Sequence, residues 1–100
     1  MKRWLLFYDV VPDYVMRRVP LREEHLRLAR EAAARGELEL AGAFGEGFDD
    51  PTPSVEGAAL VFRGGDRSVA ERFAADDPYV KNGLVTRWRV FEWMVVVERT

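Results

Sequence analysis

Cysteine is absent from the 100 residues and histidine occurs once. The first absence removes disulfides, thiolate metal sites and a cysteine nucleophile. With a single histidine besides, a zinc site lacks its ligands. Charge of one sign is never concentrated: 15 Lys and Arg are scattered among 17 Asp and Glu, for a net charge of −2. No basic stripe is therefore available to displace counterions from nucleic acid. Nor does any stretch approach the roughly 20 apolar residues of a membrane span. Lys2-Arg3 ahead of Trp4-Leu5-Leu6-Phe7-Tyr8 imitates the start of a signal peptide, but Asp9 interrupts it and no small-residue cleavage site follows. A cytoplasmic protein is expected. A glycine-rich strand-to-helix turn that would cradle a nicotinamide or flavin is missing as well. The expectation is no metal, no organic cofactor, no nucleic-acid partner and no membrane.

What is present suits one packed domain spanning 1–100, with 48% hydrophobic and 12% aromatic residues. Arg3–Val11 reads as a strand with two apolar faces, Trp4, Leu6, Tyr8 and Val10 on one and Leu5, Phe7, Asp9 and Val11 on the other. Pro12-Asp13 breaks it, and the run to Pro20 reads as a loop or loose turn. Pro20 opens a helix ended by Gly36, with Glu23 and Glu24 in its first turn. Leu21, His25, Leu28 and Ala32 form its inward row, which puts His25 on the inner face near the helix start.

Leu38, Leu40, Gly42 and Phe44 alternate with Glu37, Glu39 and Ala41 as a second strand. Gly45–Gly57, rich in Gly, Asp and Pro, reads as a long hairpin connection, and Ala58–Arg63 as the third strand. Ser68-Val69-Ala70-Glu71 has capping-box spacing for a helix to about Ala75. Val85–Val97 is the last strand, apolar on both faces. The order β-α-β-β-α-β is the ferredoxin-like α+β arrangement, two helices covering one face of a four-stranded antiparallel sheet. The other face is apolar with nothing left to cover it. That predicts a homodimer joined sheet to sheet, with Trp88, Phe91 and Trp93 in the interface.

The stretch Asp76-Asp77-Pro78-Tyr79-Val80-Lys81-Asn82-Gly83-Leu84 organises the rest. Pro78 disfavours the α region for Asp77 and so ends the preceding helix. Asp77 then suits an N-cap, Pro78 the first position and Gly83 the end of a short helical turn over Pro78–Asn82. Two readings of Asp77 stand side by side. It caps that turn and does no chemistry, or its rigidly held carboxylate also meets the single histidine.

Phe7-Tyr8-Asp9, Arg22-Glu23-Glu24-His25-Leu26, Leu40-Ala41-Gly42-Ala43 and Ala75-Asp76-Asp77-Pro78-Tyr79-Val80 with Gly83-Leu84 occur in the order found in YciI-like (YCII-related domain) proteins of the dimeric α/β-barrel superfamily, which this sequence resembles. The likeness spans nearly the whole chain. It departs from the family pattern before the third strand, where Glu56-Gly57-Ala58-Ala59 replaces the usual Gly-Phe-Thr-Gly-Ser. The resemblance implies a dimer and a pocket whose active pair is a histidine and an aspartate, here His25 and Asp77. Relatives in the superfamily isomerise, oxygenate without cofactor, or eliminate from small cyclic molecules.

Further residues are candidates for binding a small-molecule ligand. Asp9 is a turn-former or a polar pocket group. The hydroxyls of Tyr8 and Tyr79 orient a ligand, or their rings pack with the OH at the rim. Arg22 meets an anionic substrate or is a solvated arginine. Gly42 leaves room for a ring or marks a bulge. Two functions follow: a small cofactor-independent enzyme using His25 and Asp77 for acid/base chemistry, isomerisation or elimination, or a non-catalytic ligand-binding or interaction domain with the same pocket.

Overall fold

A computed structural model describes residues 1–99. Four strands, β1 (Lys2–Val10), β2 (Leu38–Glu46), β3 (Ser54–Gly64) and β4 (Val85–Trp93), form one antiparallel sheet in the order β2-β3-β1-β4. Two helices lie on one face, α2 (Arg22–Ala34) and α3 (Ser68–Asp76). Two single-turn helices, α1 (Tyr14–Arg17) and α4 (Pro78–Lys81), close the end of the sheet where β1 finishes and β4 begins. This is the ferredoxin-like α+β fold read from the sequence.

The central strand explains the layering. Trp4, Leu6 and Tyr8 of β1 are buried beneath the helices and are registered against Phe62, Leu60 and Ala58 of β3. Val69, Ala70, Phe73 and Ala74 of α3 complete that core, the Phe62 and Phe73 rings 5.3 Å apart. Leu5, Phe7 and Asp9 point to the opposite face, beside Val61 and Ala59 of β3 and Phe91 and Arg89 of β4. On that open face Leu40, Phe44, Phe91 and Trp93 remain exposed.

The register corrects several expectations. A bulge between Leu38 and Leu40 reverses the alternation of β2, because one extra residue moves every later side chain to the other face. Leu38 thus faces the helices, whereas Leu40, Gly42 and Phe44 face outward and Ala41 and Ala43 face inward. The β2–β3 hairpin extends to Glu46 and Ser54, leaving only residues 47–53 as its loop instead of Gly45–Gly57. Trp88 is paired with Tyr8 and so lies on the helix side, not on the open face with Phe91 and Trp93. β4 ends at Trp93 rather than Val97 because its neighbour β1 runs out at the same level, Arg3 opposite Trp93.

The stretch read as loop before Pro20 contains α1 and a 3-10 turn, Val19–Leu21, so α2 begins at Arg22, two residues beyond Pro20. The capping box expected at Ser68 is not formed: Ser68 is already inside α3, whose N-cap position is Arg67 without a side-chain cap, and the Asp66 carboxylate accepts from the Ser68 N–H at 2.8 Å. Among the described residues no helix is long and apolar enough to cross a membrane.

Gly57 shows how the hairpin fits. Any Cβ there would run into the Phe44 ring and stand 2.7 Å from the Tyr8 carbonyl oxygen. The ring could swing away but the carbonyl belongs to the central strand. Gly57→Ala is expected to destabilise the fold by about 1–3 kcal/mol, read as a lower midpoint in denaturant melts.

Candidate functional site

Asp77 sits where the chain order of α3 and α4 demands a non-helical residue. Its backbone is extended (φ −69°, ψ 121°), as a residue before proline prefers. Its carbonyl accepts from the N–H groups of Val80 and Lys81, both at 3.0 Å, and its Oδ1 accepts from the Tyr79 N–H at 2.9 Å. Gly83, at φ +76°, closes the turn in the left-handed conformation that glycine takes without strain. The cap read from the sequence is present.

The carboxylate does more than cap. The His25 Nδ1 lies 2.9 Å from Oδ1 and 3.1 Å from Oδ2, and the Tyr8 hydroxyl donates to Oδ2 at 2.8 Å. Asp77 is wholly buried and the His25 side chain is 15% exposed. Because the carboxylate accepts from Tyr8, Tyr79 and His25 together, the donor count assigns the hydrogen of the neutral imidazole to Nδ1. Nε2 makes no hydrogen bond to any described residue and is not among the buried unpaired atoms. The aspartate thus fixes one ring nitrogen and leaves the other free to exchange a proton.

Aromatic rings hold the imidazole in place. Tyr79 stacks on it, centroids 4.0 Å apart and planes within 9°. Tyr14 meets Tyr79 edge-on at 5.6 Å, and Phe73 meets His25 edge-on at 6.3 Å. These contacts use every tyrosine of the chain: Tyr8, Tyr14 and Tyr79 are all buried around His25.

His25, Tyr8, Tyr14 and Tyr79 border a cavity of about 320 Å³ on the helix side of the sheet. Its floor is made of small inward residues, Ala41, Ala43 and Ala58, and Phe48 of the β2–β3 loop closes one side. Arg18 and Arg22 complete the rim. The volume is at the lower end for small-molecule sites.

Of the residues singled out from the sequence, the structure brings His25, Asp77, Tyr8, Tyr79 and Arg22 together. Gly42 borders the cavity through its backbone only. A side chain there would project into open space on the outer face, so the alanines on either side supply the room. Asp9 is not in the pocket: it lies on the open face, where Arg89 donates to its Oδ1 at 3.2 Å. Its neighbours Leu5 and Phe7 share that face, and strict alternation carries Asp9 with them. Sequence reasoning missed Tyr14, Arg18 and Phe48. Only Tyr14 left a signal, as a lone aromatic between Pro12 and Pro20. Among the described residues no group of three or more His, Asp or Glu is placed to hold a metal ion.

A single antiparallel sheet with helices on one face and a histidine–aspartate pair behind a cavity defines a ferredoxin-like α+β domain. The chain belongs to the YCII-related domain family, whose sequence profile matches residues 1–94. An uncharacterised protein of Haemophilus influenzae is 29% identical over 84 residues, covering 81% of this chain and 85% of that protein. Among solved structures, 5-chloro-2-hydroxyhydroquinone dehydrochlorinase (TftG) of Burkholderia phenoliruptrix AC1100, in complex with 2,5-dihydroxybenzoquinone, superposes with a TM-score of 0.75. It is 22% identical, with 92% of this chain and 93% of that one covered. An antibiotic biosynthesis monooxygenase superposes with a TM-score of 0.54 at 14% identity, covering 97% of this chain and all of the other (100%). At these identities the likeness speaks for the fold.

Burial raises the pKa of Tyr8, Tyr14 and Tyr79, and the negative charge of Asp77 adds to this for each of them. The unfolded chain ionises its tyrosines around pH 10, while the folded protein keeps them neutral. Their contribution to stability is therefore complete below pH 10 and is lost as pH rises above it. Denaturant melts should show stability falling steeply from pH 10 upward, and ultraviolet tyrosinate absorbance should appear together with unfolding. Tyrosinate absorbance growing near pH 10 in a protein that is still folded would contradict the buried cluster.

Proposed function

We propose that the protein is a small cofactor-independent enzyme that moves a proton on a small cyclic organic molecule, with His25 as the acid/base and Asp77 as its partner. The observation that carries this reading is the His25–Asp77 contact, which commits Nδ1 and leaves Nε2 unbonded beside a cavity of ring size. The likeness to a dehydrochlorinase solved with a dihydroxybenzoquinone supports the substrate class.

In an isomerisation, Nε2 takes a proton from a carbon next to a carbonyl, the C–H electron pair moves into an enolate, and the imidazolium returns the proton at another position. In an elimination, the same abstraction is followed by departure of an anionic group from the ring. In both, Asp77 stabilises the imidazolium while it exists. Tyr8 donates to Asp77 and Tyr79 stacks on the ring, so both position the pair rather than react. The raised pKa of Tyr8 keeps its hydroxyl a donor.

Against a panel of quinols, hydroxybenzenes and unsaturated cyclic ketones, His25→Gln, whose amide N–H can still donate to Asp77, should lower turnover by about 10²–10⁴-fold while the protein stays folded. Asp77→Asn tests the charge separately. Its oxygen can keep the Tyr79 cap and accept from His25, and the Tyr8 hydroxyl can turn to accept from its amide. A substantial loss of turnover with the fold retained is expected. Unchanged turnover would reduce Asp77 to a cap, and ligand binding without any product would identify a binding domain instead.

The open face of the sheet supports a second part of the reading, a homodimer formed sheet to sheet. Leu40, Phe44, Phe91 and Trp93 are exposed there around Leu5 and Phe7. An apolar patch of this extent is uncommon on a monomer, and a stable interface buries more than about 1,000 Å² in total. Light scattering at micromolar concentration should give twice the mass of the chain, and Phe91→Asp should give the monomer or an unfolded chain. A parent protein that is monomeric there would refute the dimer.

A further inference from the structure

Arg18 and Arg22 border the cavity without a carboxylate to answer them. Among the described residues neither makes an ion pair, whereas their neighbours do: Arg17 lies 3.9 Å from Asp13, and Arg27 engages both Glu24 and Glu31. No Asp or Glu lines the cavity. Asp77, the acid behind His25, is wholly buried and already accepts from three donors. The charge facing the cavity is therefore positive and uncompensated.

Arg22 is exposed at the rim, whereas Arg18 is held against the protein. Arg18 is partly buried and lies over the Tyr14 ring, 5.4 Å from its centroid, within cation–π range. Burial pushes the pKa of Tyr14 and Tyr79 up, and in both cases the positive charge of Arg18 and Arg22 opposes it. Both cations thus act on the same aromatic wall that holds His25. Arginine presents a planar fork of donors suited to a carboxylate or an ionised ring oxygen. As for size, a cavity of roughly 150 Å³ accepts a benzene, so about 320 Å³ suits one ring with substituents.

We infer that the ligand of this cavity is an organic anion: a single ring bearing a carboxylate or an ionised oxygen, with the charge held by Arg18 and Arg22 and the ring over the floor of Ala41, Ala43 and Ala58. This rests on the acid/base reading of His25 for its chemistry, but not for its binding. Arg18 and Arg22 select the anionic form, and the rest of the wall, aromatic and aliphatic, accepts the ring.

The test is calorimetric titration of the intact protein with para-hydroxybenzoate and with its neutral isostere para-hydroxybenzamide. The carboxylate should bind about tenfold to a hundredfold more tightly, the range of a charge-assisted hydrogen bond, and the difference should shrink as salt is added. Arg18→Gln and Arg22→Gln should each remove part of the preference, and the double variant should abolish it without weakening the amide. Equal affinities, a preference that survives the double variant, or no binding of the benzoate at millimolar concentration would overturn the inference. His25→Gln separates the two ideas. A parent protein that shows the anion preference but turns over no cyclic acid sustains the inference and removes the acid/base reading, whereas a His25→Gln variant that loses turnover and keeps the preference sustains both. Turnover of neutral rings that depends on His25, without anion preference, does the reverse.

Discussion

One buried carboxylate holds together parts of the chain that nothing else joins so closely. Asp77 accepts from Tyr8 of the central strand, from His25 of α2 and from the backbone of α4. Removing an ion from water costs several kcal/mol, and only complete hydrogen bonding offsets it. Here every donor comes from a different segment, so the charge is compensated only when strand, helix and turn have all docked. Breaking such an arrangement by deleting one partner commonly costs about 3–5 kcal/mol, mostly because an unpaired charge remains. The same three contacts that make burial tolerable also fix the tautomer of His25, so structure and chemistry draw on one set of bonds.

The aromatic layer supplies what the carboxylate cannot. A hydrogen bond to Nδ1 leaves the imidazole free to tilt about that contact, and the parallel ring of Tyr79 at 4.0 Å removes this freedom. Tyr14 buttresses Tyr79 from α1, the single-turn helix between the two prolines. That helix also carries its successor Arg18 to the rim of the cavity. One short segment of irregular chain thus stiffens the His25 imidazole and furnishes part of the wall opposite the alanines.

How much of this was legible in the sequence depended on whether the signal was local. Element order, the inward row of α2 and the Asp77-Pro78…Gly83 turn are set by periodicity and backbone preference, and all three stand in the structure. The meeting of His25 with Asp77 came from the resemblance to a family, since 52 residues separate them and no local rule connects them. Gly42 reaches the cavity through its backbone only, because the bulge after Leu38, which has no mark in composition, turns the following residues over. Asp9, a turn-former or a pocket group by sequence, is carried to the open face by its alternation with Leu5 and Phe7. The helix at Tyr14–Arg17 was hidden by the prolines that bracket it, as a single turn has too few residues for a periodic signal.

The wall of the cavity and the His25–Asp77 pair are built from different materials. Asp77, His25 and Tyr8 are locked into the core, whereas Phe48 sits in the seven-residue loop at 47–53 and is largely exposed. Substitutions, insertions or deletions in that loop would alter what the cavity admits while leaving the buried carboxylate and its donors untouched. The division makes the domain modular in a physical sense: the shape of the cavity can change at the hairpin tip at little cost to the fold, and the buried His25–Asp77 contact does not depend on it. A lineage of such domains can diversify its ligands without refolding its centre.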